Sequence, residues 1–460
     1  MQFNTPLFAA FLALFLVLFH AVARTHTHKL WTILLGSLGF YAAWDYRFVP
    51  LLVGTALFNF YMAREVARSQ DTRARAKRLV AAGIVGNLGI LAYFKLATTL
   101  TDWTKLEIVI PLGLSFFVFR SMSYPIDVYR RSVRPRESPL EFVSAVTFFP
   151  HLVAGPIARW ATLFPQFEKP SSMTREHVKR GLLFIAIGSV NKTIADLLST
   201  IPDAFYREFS HGSHGALHAW TAVLAYAGTI YGDFAGYSAL AIGIALLLGV
   251  QLPANFNLPY LATSIGDFWQ RWHISLSTWF RDYLFLPMAL RYPTHPYLLT
   301  MLTMVLVGLW HGASALFIVF GCYHGVVRVV STVAGSRLRP AAERLPDAIV
   351  KVVSLAMTFY LVVVGFVLFR SDSLRQAVLV LRDMHAPPDA SAFTSAAMST
   401  LGLTVLGLVG CHLVSWLETA RAQAARVLWR PAVFWPTVVA GIAGSALLAS
   451  ATKPFIYSHF

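Results

Sequence analysis

The chain has 460 residues, 56% hydrophobic and only 13% charged, with repeated apolar runs near the roughly 20 residues that cross a bilayer, which excludes a water-soluble globular domain. Its 38 basic residues outnumber 22 acidic ones, but the excess sits in short loops beside apolar runs, a membrane-topology pattern rather than a nucleic-acid footprint. Two cysteines, Cys322 and Cys411, exclude a disulfide framework, and no C-x-x-C or H-E-x-x-H spacing asks for a metal.

The first apolar run, Leu7 to Phe19, ends in Ala21-Val22-Ala23 and so mimics a signal-peptidase site, yet no Lys or Arg precedes it. It reads as a retained span. Further spans are expected at about Leu30 to Phe48, Leu51 to Tyr61, Leu79 to Leu96, Ile108 to Tyr124, around Gly181 to Ser189, and over Ala219 to Val250 as a pair. Leu298 to Val327 reads as a broken pair, followed by Val352 to Phe369, Leu401 to Trp416 and Val433 to Ala449, for roughly eleven crossings in all.

The loop Arg64 to Arg78 holds six Lys or Arg and Arg130 to Arg136 holds four, so these loops, with the basic stretches 328–344 and 421–430, are expected in the cytoplasm. Counting outward places the Asp45 to Pro50 turn, the segment after Phe369 and the C-terminus outside. With no repeat and no low-complexity tract, residues 1–460 read as one all-α polytopic domain. Ser371 to Met384 reads as an interfacial helix, with Ser373 and Gln376 at capping-box spacing and Leu374, Ala377, Val378, Leu381 and Met384 on one apolar face.

Two segments are too polar to be plain spans: Phe148 to Trp160 and Ile265 to Phe285. In the second, charges and aromatics alternate too densely for lipid, which predicts a re-entrant or interfacial helix lining a cavity. Asp267 and Arg271 are four apart and can pair on one helical face; Trp269 and His273 are four apart on another. The plainer alternative is an amphipathic cytoplasmic helix anchored by Trp and Arg.

No Asp, Glu, Lys or Arg occurs between Arg291 and Arg328, and His311 stands inside that stretch. An ionisable side chain at bilayer depth is costly, so His311 is the first catalytic candidate, with an inter-helix hydrogen bond as the alternative. Gly308 and Gly312 flank it, and the same G-x-x-x-G spacing at Gly321 and Gly325, and at Gly228, Gly232 and Gly236, fits close helix packing. Cys322 and His324 are assigned to packing. No G-x-S-x-G elbow, P-loop or G-x-G-x-x-G occurs, so the chemistry falls to an intramembrane base able to take a proton from a hydroxyl.

Several runs carry a family likeness: Phe149-Pro150-His151-Leu152-Val153-Ala154-Gly155-Pro156-Ile157, Asp233-Phe234-Ala235-Gly236-Tyr237-Ser238, Asn255-Phe256-Asn257-Leu258-Pro259-Tyr260, the Asp267 to Tyr283 block, Gly308-Leu309-Trp310-His311-Gly312 and Phe369-Arg370-Ser371-Asp372-Ser373-Leu374. In this order they resemble the membrane-bound O-acyltransferase (MBOAT) family, in its bacterial branch of alginate O-acetylation and teichoic-acid D-alanylation membrane proteins. The resemblance implies a helical fold around a central tunnel, with His311 as the catalytic histidine and His273 as the second polar position. Candidate substrate contacts are Trp310, Asp267, Trp269, Arg271, Trp272, Arg281, Asp282 and His151.

The resemblance further implies an inner-membrane enzyme with no bound cofactor or metal. Its acyl group comes from a cytoplasmic thioester, acetyl-CoA or an acyl-carrier protein, and reaches an extracytoplasmic polysaccharide through a separate serine-esterase-like partner. The terminal Phe455-Ile456-Tyr457-Ser458-His459-Phe460 resembles the C-terminal tyrosine motif of this family or of its small companion subunit, which implies Tyr457 as a transient acyl acceptor; the plainer alternative is an aromatic interfacial anchor. Two departures bear on the acceptor. Leu286 to Pro293 replaces the G-G-N-R loop of alginate-type members, and Ala239 stands where an acidic residue often follows G-Y-S; both tilt toward D-alanylation, whereas the chain end favours polysaccharide O-acetylation. Acetyl transfer is the expectation, D-alanyl transfer the second reading, and a non-enzymatic transporter or scaffold the third.

Overall fold

The computed structural model describes residue 3 and residues 5–99, 109–169, 173–209, 215–387, 394–419 and 430–448, and Tyr457 lies outside them. The regular secondary structure of the described residues is helical, with no β-strand among them. Among the described residues six helical stretches are long and apolar enough to cross a membrane: Arg73–Ala97, Arg175–Glu208, Gly215–Leu247, Ala315–Leu338, Asp347–Arg370 and Ser395–Leu417, with shorter apolar helices at Pro6–Val22, Pro296–His311 and Pro431–Leu447.

The described residues divide into two compact units, each discontinuous in sequence: those within 1–188 and 237–254 form one, and those within 189–236 and 255–448 the other. In the first unit the helix Pro6–Val22 starts on Thr5, whose Oγ1 accepts from Phe8 N, and turns Phe8, Phe11 and Phe15 toward Phe40 and Phe149 at centroid separations of 5.3 to 6.4 Å. Such aromatic contacts add to plain area burial. Three buried polar side chains of this unit serve its packing. Asn59 and Asn87 exchange side-chain hydrogen bonds at 2.9 and 2.8 Å, and Lys29 Nζ donates to the carbonyls of Gln166 and Lys169. These partners answer the cost of burying polar groups away from water.

The second unit holds the broken pair. Helix Pro296–His311 stops at Gly312, and Ala315–Ala342 returns along it. The glycines are what bring the two backbones together: a Cβ at Gly308 would stand 2.1 Å from Phe317 O, and one at Gly321 would stand 2.6 Å from Met304 O. Close helix packing therefore explains these glycines, as their spacing suggested.

Two expectations are corrected. Ala219 to Val250 is not a pair but part of one 33-residue helix, Gly215–Leu247, about 50 Å long and so longer than the roughly 30 Å hydrocarbon layer. Its glycines do not break it because they serve packing: a Cβ at Gly232 would lie 2.8 Å from Cys411 Sγ and 3.0 Å from Asn191 O. The apolar face assigned to the interfacial helix is also shifted. Helix Leu374–Met384 has the expected cap, Ser373 Oγ accepting from Gln376 N at 3.2 Å, but it buries Ala377, Val380, Asp383 and Met384 while Leu374 and Val378 stay exposed.

Candidate active site

The polar block after residue 264 is a broken helix. Ser264 caps Ile265–Arg271 by accepting from Asp267 N, the chain turns at Trp272 and His273, Ile274–Phe280 follows, and a π-helical turn spans Arg281–Phe285. The expected Asp267–Arg271 pair forms, with Arg271 Nε donating to Asp267 Oδ1 at 2.6 Å. The expected Trp269–His273 neighbourhood does not. His273 adopts φ +42°, a left-handed conformation that L-residues seldom take, so the helix ends between them and the i, i+4 relation is lost.

Asn255 fixes the turn. Its carbonyl accepts from Ile274 N at 2.8 Å, and its side-chain Oδ1 accepts from Ser275 Oγ at 2.8 Å and Ser275 N at 3.3 Å. The same Oδ1 lies 3.1 Å from His273 Nδ1. An amide oxygen only accepts, so Nδ1 carries the proton and Nε2 the lone pair. Backbone strain of this kind concentrates where a side chain must be aimed, and here its surroundings hold it. Nothing in the spacing of Asn255 and His273, eighteen residues apart, reveals this bond.

His311 is the last residue of its helix and only 4% exposed. Its ring stands edge-on to Phe369 at 5.0 Å and Phe320 at 6.0 Å, and Phe317 lies parallel at 6.1 Å. Trp310 contacts both histidines, at 4.9 Å from the His311 ring and 5.8 Å from that of His273, and Phe234 closes the other side of His273 at 4.6 Å. The structure thus gathers His273, Trp310 and His311 into one buried cluster.

A cavity of about 610 Å³, within the size range of small-molecule sites, is walled by the broken helix and by helix Pro296–His311; His273, Trp310 and His311 are not among its lining residues. Thr300, Thr303, Met304 and Val307 line it and share a helix face; His311 is one turn further along that face, about 6 Å from Val307 along the axis. Ser277, Thr278, Arg281 and Arg328 line the same space, the two hydroxyls donating to backbone carbonyls of their own segment.

The other candidates divide. Trp269 and Arg281 line the cavity, and Asp282 accepts from Arg281 Nε at 2.7 Å. Asp267 and Arg271 are not among its lining residues; Arg271 Nη1 instead reaches the Asn257 carbonyl at 3.4 Å. Trp272 sits in an aromatic core with Phe256, Phe268 and Phe366. His151 belongs to the first unit, fully buried, where its Nε2 donates to the Ala145 carbonyl at 3.1 Å and its own carbonyl accepts from the buried Arg120 at 2.6 Å. Sequence reasoning gave Asn255 and Asp233 only as members of motif runs, with no role, and passed over Phe320, Lys192 and Asp196; Lys192, Asp196 and Asp233 form a buried ion cluster in which Lys192 Nζ lies 2.5 and 2.9 Å from the two carboxylates.

A multi-pass helical membrane protein with a buried Trp-His pair on a helix that also walls a cavity is the class defined by these observations, and the chain belongs to the membrane-bound O-acyltransferase family, MBOAT, whose sequence profile matches residues 90–369. It is an acyltransferase. The chain is 34% identical over 426 residues to a probable alginate O-acetylase of Pseudomonas syringae pv. tomato, covering 89% of this chain and 80% of that protein. It is 31% identical to the peptidoglycan O-acetyltransferase of Helicobacter pylori, covering 83% and 79%, and 27% identical to the teichoic acid D-alanyltransferase of Streptococcus thermophilus, covering 56% and 68%. Membership sets aside the transporter or scaffold reading. The similarity to O-acetylating proteins is higher and longer than that to the D-alanylating one, against the tilt suggested by Ala239 and Leu286 to Pro293.

Proposed function

We propose that this protein, in the inner membrane, moves an acetyl group from a cytoplasmic thioester, acetyl-CoA or an acyl-carrier protein, to hydroxyls of an exported or cell-envelope polysaccharide, with an extracytoplasmic esterase-like partner completing the transfer. The observation that carries this reading is the single helix face that lines the cavity and ends in His311. Thioester in the cavity would present its carbonyl near that imidazole, with Arg281 and Arg328 facing an anionic donor.

In the proposed reaction His311 takes the proton of an acceptor hydroxyl, the oxygen attacks the thioester carbonyl, and the C–S bond breaks as the thiolate leaves and regains that proton. His273, with its Nδ1–H committed to Asn255, offers an Nε2 lone pair and so orients a hydroxyl rather than donating to a carbonyl. The test is transfer of labelled acetyl from acetyl-CoA or acetyl-carrier protein to polysaccharide in membranes carrying this chain, with D-alanyl-carrier protein in parallel. Acetyl incorporation is the expected result; D-alanyl incorporation alone would replace the acyl assignment.

Tyr457 is proposed as the first acceptor, a phenol whose aryl ester would remain activated for a second transfer outside. Tyr457→Phe keeps the ring and deletes only the hydroxyl. Envelope acylation should fall to background; intact-mass analysis should find an acyl adduct on the C-terminal peptide of wild type incubated with donor and none on that of Tyr457→Phe. Wild-type acylation by Tyr457→Phe would leave Tyr457 as an interfacial anchor.

A further inference from the structure

Tyr360, on helix Asp347–Arg370, and His385, at the C-terminal cap of helix Leu374–Met384, form a hydrogen bond that plays no part in the chemistry above. Tyr360 Oη lies 2.7 Å from His385 Nε2, and His385 Nδ1 lies 2.6 Å from the Leu381 carbonyl. A carbonyl only accepts, so Nδ1 carries the proton, Nε2 holds the lone pair, and the Tyr360 hydroxyl donates to it. Hydroxyl, imidazole and orienting acceptor follow one another in the order that activates a hydroxyl as a nucleophile.

Packing holds this pair in place and leaves it accessible. Trp220 Nε1 donates to the Met384 carbonyl at 2.9 Å, which fixes the residue before His385, and the Trp220 ring lies 6.3 Å from that of Tyr360. The Tyr360 and His385 rings meet edge-on at 6.0 Å. Tyr360 is half-buried and His385 exposed. The helix ends at Met384 and the chain runs on irregularly through Ala386 and Pro387, a backbone that hydrocarbon does not tolerate, so this end of the helix meets water. Tyr360 precedes Phe369, the residue against His311, by nine positions on one helix, about 14 Å along its axis, so the pair is a site of its own.

We propose that Tyr360 and His385 are a nucleophile and its base, a site distinct from the His311 cluster that takes up an acyl group from an activated ester. His385 Nε2 receives the phenol proton, and the Leu381 carbonyl stabilises the imidazolium through Nδ1–H. Tyr360 Oη attacks the acyl carbonyl, the carbon–sulfur bond of a thioester breaks, and the departing thiolate takes the proton back from the imidazolium. The product is an O-acyl tyrosine, an aryl ester still able to pass its acyl group to a sugar hydroxyl. The donor class rests on the thioester reading above; the pairing of nucleophile and base does not.

The experiment treats the full-length protein in lipid nanodiscs with p-nitrophenyl acetate, an activated ester that needs no donor site, and separately with acetyl-CoA, and follows acetylation of each tyrosine by peptide mass spectrometry. Tyr46 and Tyr292 are internal references, for they are 75% and 54% exposed and neither hydroxyl is hydrogen-bonded to a histidine among the described residues. Tyr360 should be acetylated faster than either by about 10²-fold or more, the lower end of what a positioned general base contributes. His385→Gln keeps an acceptor for the hydroxyl but no base, and should remove that advantage. Tyr360→Phe, with the ring retained, should lose the adduct. Acetylation of Tyr360 no faster than that of Tyr46 and Tyr292, or an equal rate in a monodisperse His385→Gln protein, overturns the proposal and leaves the bond as a tie between two helices. Labelling of Tyr360 by p-nitrophenyl acetate but not by acetyl-CoA, in a protein that acylates polysaccharide from another donor, refutes the acetyl-CoA reading and leaves the nucleophile standing.

Discussion

Replacement of His311 by alanine should lower acyl transfer by about 10²–10⁴-fold, the usual contribution of a positioned general base, with membrane insertion near wild type. The ring is held from outside by Phe317, Phe320 and Phe369, and the helix that carries it is fixed by the glycine contacts of Gly308 and Gly321 rather than by the imidazole. The fold therefore outlives the side chain while the base does not. His273→Ala should cost less, because that residue is proposed to orient a hydroxyl rather than to exchange the proton. Quantitative acylation by membranes containing verified His311→Ala at wild-type amounts would show that the base lies elsewhere, and a His273→Ala loss equal to that of His311→Ala would make the two histidines partners in one step.

The second large effect belongs to stability. Lys192 and Asp233 each leave only 4% of the side chain exposed, and Asp196, with 18%, adds a second carboxylate to the same ammonium. Removing one partner of such a buried cluster leaves charge without compensation, a loss of about 3–5 kcal/mol. Lys192→Leu should therefore lower the melting temperature of the detergent-solubilised protein by many degrees and reduce its yield, and Asp233→Asn added to it should restore part of both. The effect should reach the site as well, since Phe234, next to Asp233, forms one wall of the His273 pocket. Melting of Lys192→Leu within a degree of wild type would show that the cluster contributes nothing to stability.

What lay open in the sequence was local. A capping serine three residues before its partner, as at Ser373 and Gln376, an acid and a base four apart, as at Asp267 and Arg271, and glycines four apart beside His311 report on geometry within one or two turns, and helical periodicity alone sets that geometry. The length and apolarity of the runs likewise determined a multi-pass helical membrane protein, because a bilayer leaves the backbone few other ways to satisfy its hydrogen bonds.

The tertiary structure decided the rest. Only packing could keep Gly215–Leu247 whole through its glycines, bring Lys192 to Asp233, and set Asn255 Oδ1 against His273 so as to end one helix, strain one residue and choose one tautomer. The separation of Trp269 from His273 and its meeting with His324 are the same lesson in reverse, for a four-residue spacing has meaning only while the helix continues. Periodicity fixes which residues share a face. Which distant residue meets that face depends on how close two backbones can come, and here glycines at Gly308, Gly321 and Gly365 set that distance through side-chain volume that is absent.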